Sequence, residues 1–97
     1  MTRLFALQPP TAYAVPLRVD RSRAPHFGLT NVSAEALRGV TLTLLGSGLL
    51  LSAPAERLLP GQTLRFTLRA ENPARNTIVV VRWFRPSGEQ YLWRVSF

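Results

Sequence analysis

VVVRWFRPSGEQYLWRVSF, residues 79–97, decides how the rest of the chain is read. Arg85-Pro86-Ser87-Gly88 suits a type I turn. Pro86 presets φ at its second position, and Gly88 accepts the positive φ of a bulge that follows. A three-residue loop between Arg85 and Glu89 then closes a hairpin of Thr77–Arg85 and Glu89–Phe97. In that register Trp83 faces Tyr91 and Val81 faces Trp93. Side chains alternate along a strand, so Val79, Val81, Trp83, Tyr91, Trp93, Val95 and Phe97 share one side. Both tryptophans therefore point into a core, where burying such a ring contributes a few kcal/mol. The competing reading is a stacking platform for bases or sugars.

The opposite side carries Val80, Arg82 and Phe84 with Leu92, Arg94 and Ser96. Arg82 faces Leu92, Val80 faces Arg94, and Phe84 faces Gln90. Apolar groups interleaved with arginine have the composition of a protein interface. The partner is another protein or a second copy, and the last strand is a candidate edge for strand addition. Alternatively, arginine stems cover the apolar groups, or an N-terminal arm, residues 1–10, lies across them.

Outward from the hairpin, helical periodicity is nearly absent and alternation is common. Turn residues recur every eight to twelve positions or so, the rhythm of a sandwich or barrel of short antiparallel strands. Tyr13–Asp20 is an edge strand, because Pro16 cannot donate to a ladder. His26–Val32 turns Phe27 and Leu29 inward and ends around Asn31. Gly39–Leu45 turns Val40, Leu42 and Leu44 inward. Leu49–Ser52 follows the Gly46-Ser47-Gly48 turn, and Ala53–Gly61 is a loop. Gln62–Arg69 turns Leu64, Phe66 and Leu68 inward, and ENPARN (71–76) leads to the final hairpin. That predicts seven strands over residues 11–97, the size of an immunoglobulin-like antiparallel β-sandwich.

Two stretches carry a resemblance. FGLTNVS (27–33) looks like the second strand of bacterial immunoglobulin-like domains of the CARDB and related types. LLPGQTLRFTL (58–68) resembles their Leu-x-Pro-Gly entry into a later strand. The resemblance spans roughly residues 17–97. It implies a seven-stranded immunoglobulin-like sandwich and a role as a structural or adhesive module, and it carries no catalytic residues with it.

Composition narrows the functions. The chain has 97 residues and a net charge of +7, without cysteine and with a single histidine, His26. All twelve basic residues are arginines. Arginine suits bidentate contact with phosphate or carboxylate, so an acidic partner is one reading. Arginine-rich codon usage is the other. With no thiol and one imidazole, a zinc site lacks ligands. The glutamates fall in separate loops or turns, and no serine sits in a nucleophile elbow. No enzyme, cofactor, metal or small-molecule substrate is expected. In a sandwich of this order Arg21, Arg23, Arg69 and Arg75 gather at one pole, partly offset by Asp20 and Glu71. That pole is the alternative site, for nucleic acid or another polyanion. The apolar run near Met1 is too short for a secretory signal, and no stretch reaches a membrane span, so the expected location is the cytoplasm.

Overall fold

A computed structural model describes residues 13–71, 75 and 77–97. The expected arm at residues 1–10 lies outside them. Among the described residues eight strands form: β1 (Leu17–Arg23), β2 (His26–Asn31), β3 (Leu37–Gly46), β4 (Leu49–Leu51), β5 (Ala55–Leu58), β6 (Thr63–Arg69), β7 (Thr77–Phe84) and β8 (Gln90–Ser96). They make two four-stranded antiparallel sheets, ordered β1-β2-β6-β4 and β5-β3-β7-β8.

The sheets pack as a sandwich. Leu17, Phe27, Leu29, Phe66 and Leu68 come from the first sheet; Leu37, Val40, Val79, Val81, Trp83, Tyr91 and Val95 come from the second. Phe97 closes one end of this layer. Its ring meets Phe27 and Phe66 edge-on at 5.2 and 5.5 Å.

The final hairpin has the expected register throughout, with Trp83 opposite Tyr91, Val81 opposite Trp93, Arg82 opposite Leu92 and Val80 opposite Arg94. The Arg85 N–H donates to the Glu89 carbonyl at 2.9 Å and the Gly88 N–H to the Arg85 carbonyl at 2.8 Å. Gly88 takes φ 94°, which fits the bulge its lack of a side chain allows. Trp83 is buried, and Trp93 is half-buried against the core.

Three expectations are corrected. Eight strands replace seven, because β5 forms inside the segment 53–61 that reads as a loop. Its Leu58 pairs with Leu37 across the sheet, and both are buried. The first strand begins at Leu17, so Pro16 precedes it and Tyr13 lies upstream; β1 is nevertheless an edge strand. Finally, β3 begins at Leu37, before Gly39. Gly39 adopts φ 56°, and the register with β7 shifts between Arg38 and Thr41. This bulge puts Leu37 and Val40 on the same buried side although they are three residues apart.

Asn31 does more than end a strand. It is fully buried. Its Nδ2 donates to the carbonyls of Glu35 at 2.8 Å and Leu58 at 2.9 Å. Its Oδ1 accepts from the Ser33 N–H at 2.9 Å and the Ser33 hydroxyl at 2.7 Å. The Asn31 N–H donates to Gln62 and its carbonyl accepts from Gly61. One residue, through its side-chain amide and its backbone together, thus joins β2, the turn after it, the end of β5 and the β5–β6 turn.

Candidate interaction face

The side of the β5-β3-β7-β8 sheet turned away from the core carries all five residues expected for partner binding. β7 alternates strictly: Thr77, Val79, Val81 and Trp83 are buried, while Ile78, Val80, Arg82 and Phe84 are half-buried on the outer side. On β8, Leu92 and Arg94 are exposed and continue that face. Leu92 is 42% exposed, an aliphatic side chain set beside a guanidinium rather than under the core.

The guanidinium of Arg82 lies over the Phe84 ring, 5.4 Å from its centroid. This cation–π contact lays the side chain flat along the sheet. The Arg82 Nε is buried there and has no hydrogen-bond partner among the described residues. Phe84 in turn rests on the bulge: a side chain at Gly39 would come within 3.1 Å of its ring. The absence of a Cβ at Gly39 is what lets Phe84 lie down on the sheet.

Two arginines of this face escape sequence reasoning. Arg38 is the register partner of both Phe84 and Arg57. Both arginines are exposed, and each is next in sequence to a buried leucine, Leu37 or Leu58. That neighbour was the available signal, since alternation sends the arginine outward; it was hidden because β5 reads as a loop and β3 starts before its bulge.

The arginine pole is arranged differently. Arg23 pairs with His26 at the β1–β2 turn, and Arg69 ends β6 opposite Leu49. β2 and β6 are antiparallel with His26 opposite Thr67, so these strand ends lie at one end of the first sheet. Arg75 precedes β7, whose Thr77 pairs with Gly46. Arg23, Arg69 and Arg75 are exposed. Arg21 has a structural partner: its Nη2 donates to the Ser96 carbonyl at 3.0 Å, and its guanidinium lies 5.4 Å from the Phe97 centroid. It clasps the edge of β8 to the edge of β1. Asp20 nearby accepts from the Ser22 hydroxyl and N–H at 2.6 and 2.9 Å. Those bonds, first the hydroxyl and then the N–H, hold its carboxyl below the ordinary value, with Arg65 and Arg23 adding to the effect.

A third cluster sits at the β7–β8 turn. Arg85 grips Glu35 with two hydrogen bonds, Nε to Oε1 at 3.0 Å and Nη2 to Oε2 at 2.9 Å. Its guanidinium also covers the Tyr13 ring at 4.3 Å. Tyr13 packs on Tyr91 at 4.5 Å, and its hydroxyl accepts from the Trp83 indole N–H at 3.1 Å. Burial pushes the Tyr13 phenol above its ordinary value. Every polar group here has a partner, so the cluster anchors the segment before β1 rather than awaiting a ligand.

Hydrogen bonding from Arg85 holds the Glu35 carboxyl below its ordinary value. A lowered folded-state value stabilises above the unfolded carboxyl value and is lost as pH falls through the folded one. Both side chains are about a third exposed. Solvent screening therefore limits the pair to about 0.5–1 kcal/mol. Glu35→Gln is expected to lower stability by that amount at pH 7 and to match the wild type near pH 2. Urea unfolding at the two pH values checks it.

Among the described residues no group of three His, Asp or Glu side chains converges on a common point. No helix among them is long and apolar enough to cross a membrane. Comparison with protein-family models, curated proteins and solved structures finds no significant match.

Proposed function

We propose that the chain is a non-catalytic interaction module, an immunoglobulin-like sandwich that binds a protein partner in the cytoplasm through the outer face of the β5-β3-β7-β8 sheet. The observation that carries this reading is the composition of that face: Val80, Phe84 and Leu92 stand among Arg82 and Arg94 on the outer side of an unbroken β7–β8 ladder. Interfaces combine apolar anchors with arginine in this way. The strand order supports the immunoglobulin-like assignment. First and last strands lie at sheet edges, and β2–β6 and β3–β7 form the central pairs of the two sheets.

The second reading is polyanion binding at the pole of Arg23, Arg69 and Arg75, with Arg21 held to Ser96. Phosphate-driven binding there would weaken steeply with salt. A contact on the sheet face would depend more on Phe84 and Leu92 than on ionic strength.

A benzophenone side chain installed at position 92, in cells expressing the protein, tests the sheet-face reading. One discrete photo-adduct is expected, either a second copy or another protein. The same group at position 30, on the outer side of the opposite sheet, is expected to give none. Equal adducts from both positions, or none from position 92, would overturn the assignment.

A further inference from the structure

The face has a charge pattern that specifies its partner's chemistry, given the reading above. Arg57 and Arg38 are register partners on β5 and β3. Arg38 is opposite Phe84; Arg82 lies two residues back along β7, opposite Leu92; Arg94 lies two residues beyond Leu92 on β8. The four arginines therefore form a diagonal stripe across all four strands. With strands about 4.8 Å apart and residues i and i+2 about 6.7 Å apart, it runs roughly 20 Å. None of the four forms an ion pair among the described residues, where both ion pairs belong to Arg85. Glu56 sits at one end of the stripe beside Arg38 and Arg57, and among the described residues no other Asp or Glu shares the face.

We propose that the stripe docks an acidic protein segment, one that presents carboxylates to the arginines and aliphatic side chains to Val80 and Leu92. Three features select this occupant. Four guanidiniums without an ion pair among the described residues favour negative charge, and the planar fork of arginine matches carboxylate. A second copy docked face to face would set stripe against stripe, and like charges across a contact cost several kcal/mol. Binders of single-stranded nucleic acid stack bases on aromatic faces beside a basic groove; among the described residues Phe84 is the aromatic of this face, and its ring already carries the Arg82 guanidinium. Between Arg82 and Arg94 the face carries Val80 and Leu92, and such surface packs Leu or Val better than it stacks bases. The cation–π contact holds the Arg82 side chain in place before binding, which reduces the ordering cost of association.

The test uses three fluorescein-labelled probes with the same solubilising polyethylene glycol tail: an eight-residue Glu-Leu repeat, an eight-residue Ser-Leu repeat and an eight-nucleotide oligothymidylate. Fluorescence anisotropy is read with the wild type, with Arg82→Gln/Arg94→Gln, with Leu92→Ser, and with Arg18→Gln/Arg65→Gln on the opposite sheet. Thermal melts confirm that each variant folds. The Glu-Leu peptide is expected to bind wild type best. Binding should weaken at least tenfold in Arg82→Gln/Arg94→Gln, weaken severalfold in Leu92→Ser, and stay unchanged in Arg18→Gln/Arg65→Gln. Equal binding of the Ser-Leu peptide, still sensitive to Leu92→Ser, would overturn the acidic partner and leave the interaction face standing. Tightest binding of oligothymidylate would overturn it in favour of nucleic acid. Failure of the Glu-Leu peptide to bind would overturn it too, and the photo-adduct at position 92 would then decide the wider reading by itself.

Discussion

Asn31→Ala is expected to destabilise the domain by about 3 kcal/mol, although the side chain is small. Its amide satisfies the Glu35 and Leu58 carbonyls and accepts from Ser33. Alanine removes all of these at once. Each buried group left without a partner costs about 1–3 kcal/mol, and water entering the partly exposed turn around Ser33 recovers some of that. Asn31→Asp separates the donor from the acceptor. It keeps the shape and the acceptor oxygen but turns a carboxylate oxygen toward two carbonyls. At pH 7 this variant is expected to be less stable than Asn31→Ala, because it buries an unpaired charge against negative dipoles. Acid should partly rescue it. Burial raises the carboxyl's folded-state pKa, so the neutral form, which donates one hydrogen bond, is favoured at low pH. That contribution is complete below the unfolded value and disappears as pH rises through the folded one. Urea midpoints of the two variants at pH 7 and pH 4 check the crossover. A stability change below 1 kcal/mol for Asn31→Ala would mean that the joint between β2 and β5 is redundant.

Trp83→Ala is expected to cost about 3–5 kcal/mol, the usual range for removing a large buried aromatic. For a domain of this size that is a large share of the total. The indole is 2% exposed, stacks with Tyr91 at 6.0 Å, and donates to the Tyr13 hydroxyl. Trp83→Phe retains most of the apolar area and loses the donor. Tyr13→Phe removes the acceptor. Each single change is expected to cost about 1 kcal/mol for the bond, on top of any lost volume. Combined, they should cost less than their sum, with a coupling of about 0.5–1 kcal/mol. Strict additivity in chemical denaturation would show that Tyr13 is held by Arg85 and Tyr91 alone.

The final hairpin was legible because every requirement of its turn is local: Pro86 at the second position and Gly88 at the bulge set the loop length, and the loop sets the register. All five proposed partner-binding residues follow from that register. The remainder depended on contacts distant in sequence. β5 has one strong apolar residue, Leu58, between two prolines, and its strand pairing is with Leu37, Arg38 and Val40 of β3, about twenty residues away in sequence. The bulge at Gly39 breaks the two-residue period, so Leu37 falls out of phase with Val40 and Leu42. Asn31 has a strand-ending look because asparagine favours turns, and its buried role appears only when Leu58, 27 residues away, comes within 2.9 Å. Arg38 and Arg57 were concealed by the same two irregularities, which left half of the arginine stripe unread.

The unbroken buried/half-buried alternation along β7 has an evolutionary consequence. Neighbouring positions on this strand answer to different selective pressures. Mutations at Val79, Val81 or Trp83 are tested against folding. Mutations at Val80, Arg82 or Phe84 are tested mainly against whatever the surface meets. Related chains could therefore exchange one set of outward residues for another, and so acquire new binding preferences, while inheriting the interior unaltered. Gly39 is the exception, because it supports Phe84 on the outside and the Leu37–Val40 phase on the inside; at that position drift in specificity and drift in stability are tied together.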